Sequence, residues 1–257
     1  MAKHFFVPVF AGTNCDQESL SWFQDNFEGE HSFLDMEKHG DISPENVGAI
    51  LVPGGFSYGD YLRAGAIASR DPKMAYVKKC ADAGVPVLGI CNGFQILCES
   101  GLLEGVLLTN ITQHHLHFPV QLKAKKPSVA KCVWLPETLN DGSSQLFKDF
   151  QDFRVPMSCG MGRYQPNPKM AETDVAALEI LEYVNNETGS FKAMAGITNS
   201  AGNVAGMMPH PERASDADSG ATEGLVYLLG LAQNKNLKVK SGSPLEQFAK
   251  NYGERLP

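Results

Sequence analysis

The stretch Val85-Pro86-Val87-Leu88-Gly89-Ile90-Cys91-Asn92-Gly93-Phe94-Gln95 decides how this chain is read. An apolar run of the kind that forms a buried strand leads into a cysteine with a glycine two residues away on each side. A helix-like segment, Phe94 to Glu99, follows. A strand, a tight turn and a helix in that order hold a side chain proud of the backbone. The glycines stand where a side chain would clash in the turn. The helix N-terminus turns its positive end toward the sulfur. A free cysteine packed as a small hydrophobe is the ordinary alternative, and the two glycines set Cys91 apart from it.

Working outward, the same alternation recurs. Phe5–Phe10 reads as a buried strand, Gly12-Thr13-Asn14 as a turn, and Asp16–Phe27 as a helix with Leu20, Phe23 and Phe27 on one face. Asp16 and Glu18 suit the start of that helix through its dipole. His31–Met36 and Val47–Val52 are the next strands, the latter ended by Pro53-Gly54-Gly55. Arg63–Ala83 has helical spacing with a break near Asp71-Pro72, and Val85–Ile90 is the fourth strand. Strands alternating with helices predict a parallel sheet with helices on both faces. The middle changes character: His117–Ala124, Lys131–Leu135 and Arg154–Met157 read as short strands around a turn-rich segment, 136–152. Phe191–Ile197 and Asn203–Met208 flank Thr198–Gly202, a hairpin signal. A helix is expected near Glu223–Gln233, and the polar tail 234–257 holds a weakly helical stretch at Leu245–Tyr252. With no repeat and no clear linker, 1–257 is expected to be one domain, with 234–257 a C-terminal extension.

Composition narrows the function classes. The chain has 257 residues, 43% of them hydrophobic, and a formal charge of −7. Lys123–Lys126 is a single short basic cluster, so neither nucleic acid nor an anionic membrane is indicated as a partner. The six cysteines (Cys15, Cys80, Cys91, Cys98, Cys132 and Cys159) include no Cys-x-x-Cys pair, so no metal site is expected. The start of the chain turns polar too soon for a signal peptide, and no run of eighteen apolar residues occurs. A cytoplasmic location is expected, which keeps Cys91 a thiol.

Two further segments can serve Cys91. Pro53-Gly54-Gly55-Phe56-Ser57 follows a strand, and the carboxyl ends of parallel strands are where α/β sheets place ligands. A backbone N–H of that Gly-Gly turn, paired with the N–H of Asn92, would make an oxyanion hole. The base is sought in Met208-Pro209-His210-Pro211-Glu212. In an extended, proline-stiffened segment residues i and i+2 point the same way, so Glu212 can hold one imidazole nitrogen of His210 while the other faces the thiol. His114, His115 and His117 form a cluster without acidic or cysteine partners at ligand spacing and read as a polar strand edge.

These motifs resemble the class I (triad) glutamine amidotransferases. More narrowly, Gly54–Arg63, Leu88–Gln95 and Met207–Ala214 are similar to the glutaminase subunits of phosphoribosylformylglycinamidine synthases, as is the turn Gly12–Asp16. The resemblance runs from about residue 5 to 214. It implies a flavodoxin-like, mostly parallel central sheet flanked by helices, with a small antiparallel insertion. It implies that Cys91 hydrolyses glutamine through a glutamyl thioester, with Gly55 and Asn92 as oxyanion hole. His210 is then the acid and base, Glu212 its orienter, and Gln95, Gly54 and Phe56 contact the substrate. No cofactor is expected in this chain. The ammonia would pass to a large ATP-dependent, magnesium-using synthetase subunit that aminates formylglycinamide ribonucleotide in purine biosynthesis, with a small third subunit alongside. Where the family has Ala-His-Gly-Glu-Gly-Arg, this chain has Ser158-Cys159-Gly160-Met161-Gly162-Arg163. The stretch Ile111–Phe118 also departs from the family pattern. Two alternatives stay open: another cysteine enzyme on a similar sheet, such as a deglycase or intracellular-protease relative, and a degenerate amidotransferase acting as a regulatory or scaffolding subunit.

Overall fold

The computed structural model describes residues 2–128, 131–140, 144–216 and 220–257. Residues 141–143 of the turn-rich segment therefore lie outside the described residues. The strands are β1 (His4–Val7), β2 (Glu30–Phe33), β3 (Val47–Val52), β4 (Val87–Ile90), β5 (Val106–Leu108), β6 (Leu116–Ala124), β7 (Phe153–Cys159), β8 (Arg163–Gln165), β9 (Glu179–Tyr183), β10 (Met194–Thr198) and β11 (Val204–Met207). The helices are α1 (Asp16–Gln24), α2 (Met36–His39), α3 (Pro72–Asp82), α4 (Asn92–Glu99), α5 (Gln145–Asp149), α6 (Glu172–Ala176), α7 (Leu225–Lys235) and α8 (Pro244–Tyr252).

Among the described residues, nine strands form one sheet in the order β2-β1-β3-β4-β11-β10-β9-β6-β7, and β5 pairs with β8 in a small antiparallel sheet. From β2 to β11 neighbouring strands run parallel. From β11 to β7 they run antiparallel. This is the α/β architecture expected, with its parallel half built as the apolar runs predict. Every residue of β3, β4 and β11 is buried, as strands covered on both faces must be. Helix α4 packs on β4, β3 and β11, and α1 on β1 and β2. Among the described residues, no helix is long and apolar enough to cross a membrane.

The structure departs from the sequence expectations in several elements. Lys131–Leu135 is no strand. The N–H of Val133 donates to the Gly202 carbonyl, and the Asn234 side-chain amide donates to the carbonyls of Val133 and Leu135. Partners from a loop and from α7 thus satisfy backbone groups that a ladder would have used. Helix α3 begins only at Pro72, because Asp71 caps it, its carboxylate accepting from the Lys73 N–H at 2.9 Å, and Pro72 occupies the first turn. Residues 191–193 form a tight 3-10 turn, and the strand starts at Met194. The tail helix α8 is amphipathic and docked, with Leu245, Phe248 and Ala249 buried.

Candidate active site

Three neighbouring parallel strands end at one rim. β4 runs into Cys91, β3 into Gly54-Gly55, and β11 into Met208-Pro209-His210. The register Val52↔Gly89 and Met207↔Ile90 keeps the three ends level. Cys91 sits at φ 52°, ψ −109°, a strained conformation for a residue with a Cβ. Its backbone N–H donates to the Met207 carbonyl at 2.8 Å, which ties the elbow to β11. Gly93 lets α4 start against β3: a Cβ there would lie 1.9 Å from the Val52 carbonyl oxygen. That approach sets the start of α4 against the loop after β3, where the Ser57 N–H donates to Asn92 Oδ1 at 3.0 Å. Asn92 N–H is a first-turn donor, and intrahelical bonds begin with Gln95 N–H to the Cys91 carbonyl at 3.2 Å.

The imidazole of His210 is buried, with Nδ1 2.6 Å from Glu212 Oε1. The backbone N–H of His210 donates to the Pro156 carbonyl at 2.8 Å, so strand β7 anchors this segment. The ring shares the cavity wall with two thiols, Cys91 and Cys15. Burial pushes the imidazole down, but the Glu212 charge and the bonds to Cys15, Cys91 and Glu212 outweigh it and hold His210 well above its ordinary range. The structure thus brings Cys91, His210 and Glu212 together.

In the sequence Cys15 stands only as part of the turn Gly12–Asp16. It reaches the site because β1 lies beside β3: its N–H donates to the Gly54 carbonyl at 3.2 Å. Burial pushes its thiol up, against the pull of His210. Arg213 Nη2 donates to Cys15 Sγ at 3.2 Å and pairs with Glu18 at 2.7 Å. Glu18 therefore holds Arg213 as well as suiting a helix start. Among the described residues, Cys15, His210 and Glu212 are the group whose donor atoms, all within 4.8 Å of one another, could hold a metal ion.

A cavity of about 320 Å³ opens onto Cys91, lined by Gly55, Phe56, Asp60, Gln95, His115, Ser158, Met161 and others. Gln95 reaches it, but its amide is engaged at both ends: Oε1 accepts from Asn92 at 2.7 Å and Nε2 donates to the Met161 carbonyl at 2.7 Å. Gly54 lies behind the wall, where a Cβ would meet His210 Cε1 at 2.8 Å and Cys15 Sγ at 3.1 Å. The Cys91 thiol donates to the Ser158 carbonyl at 3.4 Å. Cys159, standing where a histidine was expected, is a buried thiol pushed up to about 12 by burial and by the nearby Cys91 charge. His115 is not a plain strand edge. It precedes β6 and enters the cavity wall, with Nε2 2.9 Å from Ser158 Oγ. The sequence offers Asp60 only within the Gly54–Arg63 motif and His115 only within the histidine cluster, and the tertiary fold places both beside Cys91.

The sequence matches the family described as the CobB/CobQ-like glutamine amidotransferase domain over residues 2–222. Phosphoribosylformylglycinamidine synthase subunit PurQ of Synechococcus elongatus is 40% identical over 228 residues, 88% of this chain and 96% of that protein. The subunit of the same name from Lacticaseibacillus paracasei is 41% identical over 220 residues, 85% of this chain and 90% of that one. A chain in the solved structure of PurLQS from Thermotoga maritima superposes with a TM-score of 0.73 at 32% identity, covering 91% of this chain and 99% of that one.

Proposed function

We propose roles for the residues of a chain that belongs to the CobB/CobQ-like glutamine amidotransferase family: Cys91 is its nucleophile, His210 its acid and base, and Glu212 the group that orients His210. The chain is the glutaminase subunit of a phosphoribosylformylglycinamidine synthase, an enzyme of purine biosynthesis. It hydrolyses glutamine to glutamate and ammonia, and the ammonia goes to a synthetase subunit. The observation that carries the assignment of roles is the single buried imidazole that lines the cavity beside the Cys91 thiol and is held at 2.6 Å by Glu212.

In the reaction, Cys91 Sγ attacks the side-chain amide carbon of glutamine while His210 holds the thiol proton. The oxygen that gains negative charge turns toward the N–H groups of Gly55 and Asn92. His210 passes its proton to the amide nitrogen, the C–N bond breaks, and ammonia leaves. A water then gives a proton to His210 and attacks the thioester, and collapse releases glutamate and restores the Cys91 thiol. Glu212 keeps Nδ1 occupied, so the other nitrogen does the proton transfers. Phe56 and Gln95 belong to the glutamine wall, Phe56 by contact and Gln95 by bracing Asn92 and Met161, and Gly54 leaves the room that His210 needs. ATP and magnesium belong to the partner synthetase subunit, a small third subunit completes the complex, and the complex works in the cytoplasm. Residues 1–257 form one domain with 234–257 as its C-terminal extension. The bridge between Phe27 and Val239 and the bond from Leu245 N–H to Asn26 Oδ1 support that reading of the tail. No observation favours a regulatory or scaffolding role.

Cys91→Ala, assembled with its synthetase partner, is expected to lose glutamine-dependent synthesis and keep ammonia-dependent synthesis. Glutamine still supporting synthesis in that variant would refute the nucleophile assignment.

A further inference from the structure

Glutamine carries two charges on its Cα, an ammonium and a carboxylate, and both enter the cavity when the amide carbon meets Cys91. Neither charge can be buried without a partner except at a cost of several kcal/mol. The wall must therefore offer one anion and one donor cluster.

Most of the polar groups lining the cavity are already committed. His210 is held by Glu212 and the thiols. Arg213 is bidentate to Glu18, with Nε at 2.9 Å and Nη2 at 2.7 Å, and also bonds Cys15. Gln95 has both ends of its amide engaged. Cys159 and Met161, where the family pattern has a histidine and a carboxylate, bring no charge. Asn14 also lines the cavity but brings no charge, which leaves two ionisable groups.

The first is Asp60, the single carboxylate among the described cavity-lining residues. Its hydrogen bond among the described residues is a long one, 3.3 Å, from Asn92 Nδ2 to Oδ1. Its backbone sits at φ 55°, between Tyr58 at 53° and Leu62 at 67°, so the loop after β3 holds three side-chain-bearing residues in the left-handed region. Strain of this kind persists only where the surroundings impose it, and it clusters at ligand sites. Burial pushes the Asp60 carboxyl up, the state of an anion short of a counter-charge. The second is His115 with Ser158. The Ser158 carbonyl accepts from the Cys91 thiol, while its hydroxyl bonds the His115 ring, which lies 6.3 Å from the Phe56 ring.

We propose that Asp60 binds the α-ammonium group of the substrate and that His115 with the Ser158 hydroxyl binds its α-carboxylate. This rests on the glutaminase reading above and adds the residues that select an α-amino acid over other primary amides. Asp60 acts on specificity and KM and takes no part in the proton transfers.

The test uses the assembled synthetase complex and three primary amides: L-glutamine, glutaramate (no α-amino group) and 4-aminobutanamide (no α-carboxylate). Ammonia release gives kcat and KM for each, and ammonia-dependent synthesis reports assembly of each variant. The wild type is expected to prefer glutamine to glutaramate by on the order of 100-fold or more in kcat/KM. Asp60→Asn should lower kcat/KM for glutamine by about that factor, mostly through KM, and leave glutaramate within a few-fold of its wild-type value. His115→Ala should weaken glutamine and glutaramate by about 10-fold and leave 4-aminobutanamide unchanged. Equal losses on glutamine and glutaramate in Asp60→Asn would mark a merely structural role and overturn the proposal. So would a wild type that hydrolyses glutaramate as well as glutamine, a result that needs no variant to fold. A wild-type complex that releases no ammonia from glutamine would instead overturn the glutaminase reading itself.

Discussion

Replacing Gly54 by alanine tests whether His210 must stand where it does to within about an ångström. A Cβ on Gly54 would lie 2.8 Å from His210 Cε1, 3.1 Å from Cys15 Sγ and 3.4 Å from Cys91 Cβ. Comfortable carbon–carbon contact is about 3.5–4.0 Å, so the ring must retreat by roughly 0.7–1.2 Å. It has little freedom to do so. Nδ1 is tied to Glu212 at 2.6 Å, and the His210 N–H to Pro156 at 2.8 Å. The expected result is a ring displaced from the Cys91 sulfur and a fall of about 100-fold in glutamine-dependent kcat, the scale on which an ångström of misplacement is felt in catalysis. The overpacking should also cost about 1–3 kcal/mol of stability. The assay is glutamine hydrolysis by the assembled complex, with ammonia-dependent synthesis and a thermal melt measured on the same preparation. Wild-type kcat with glutamine in Gly54→Ala would refute the reasoning, since the methyl group cannot be seated without moving the imidazole or the thiols around it.

Other perturbations separate orientation from fold. Glu212→Gln keeps the shape beside His210 but removes the charge, and glutamine-dependent kcat should fall by about 10²- to 10⁴-fold; a loss under threefold would remove Glu212 from the mechanism. Glu179 on β9 is half-buried with Oε1 unpartnered, and burial, opposed by Lys125 and helped by Glu182, pushes its carboxyl up to about 7 from an ordinary 4.5. The native state therefore holds that proton more tightly than the unfolded chain, so the group's contribution to stability is full below pH 4.5 and lost as pH rises through 7. Glu179→Gln should be more stable than the wild type at pH 8 by about 1 kcal/mol, the shift being discounted for the part of the carboxylate that water reaches. In paired melts that is a Tm gain of about 2–4 °C, shrinking toward pH 4.5; a gain independent of pH would contradict the assignment.

The parallel half of the sheet could be read from the chain because its strands are buried on both faces. β3 and β4 are unbroken apolar runs, and such runs are the plainest signal a sequence carries. The antiparallel half was harder. β9 spans Glu179–Tyr183, where two glutamates interrupt an apolar pattern that suits helix or strand. Lys131–Leu135 has the composition of a strand, yet Trp134 Nε1 donates to the Asn203 carbonyl and Asn234 takes two of its carbonyls, so tertiary partners override local preference. The tail looked marginal for want of a visible partner. Its helix forms because Ser243 caps it and Leu245 and Phe248 find a buried face.

The candidate site divides along the same line, and the reason is mechanical. Cys15, Gly54, Cys91 and His210 sit on turns after β1, β3, β4 and β11, which are consecutive neighbours in the sheet. Backbone bonds fix them to one another: Cys15 N–H to Gly54, Cys91 N–H to Met207. Sequence order along each strand then predicts what stands at its end, and Cys91, His210 and Glu212 could be named as partners before any coordinate. His115, Ser158 and Met161 come from the antiparallel half, which supplies no such rule, because a strand beside its sheet neighbours need not end at the same rim. They meet the nucleophile through single contacts: a thiol on the Ser158 carbonyl, an imidazole on the Ser158 hydroxyl, a Gln95 amide on the Met161 carbonyl. A side chain on that wall can be exchanged without moving Cys91 or His210, because neither Cys159 nor Met161 contributes a side-chain bond to them. Binding and chemistry are therefore separable here. That separation lets a thiol and a thioether stand at 159 and 161 beside an intact nucleophile, with the charges of the substrate left to Asp60 and His115.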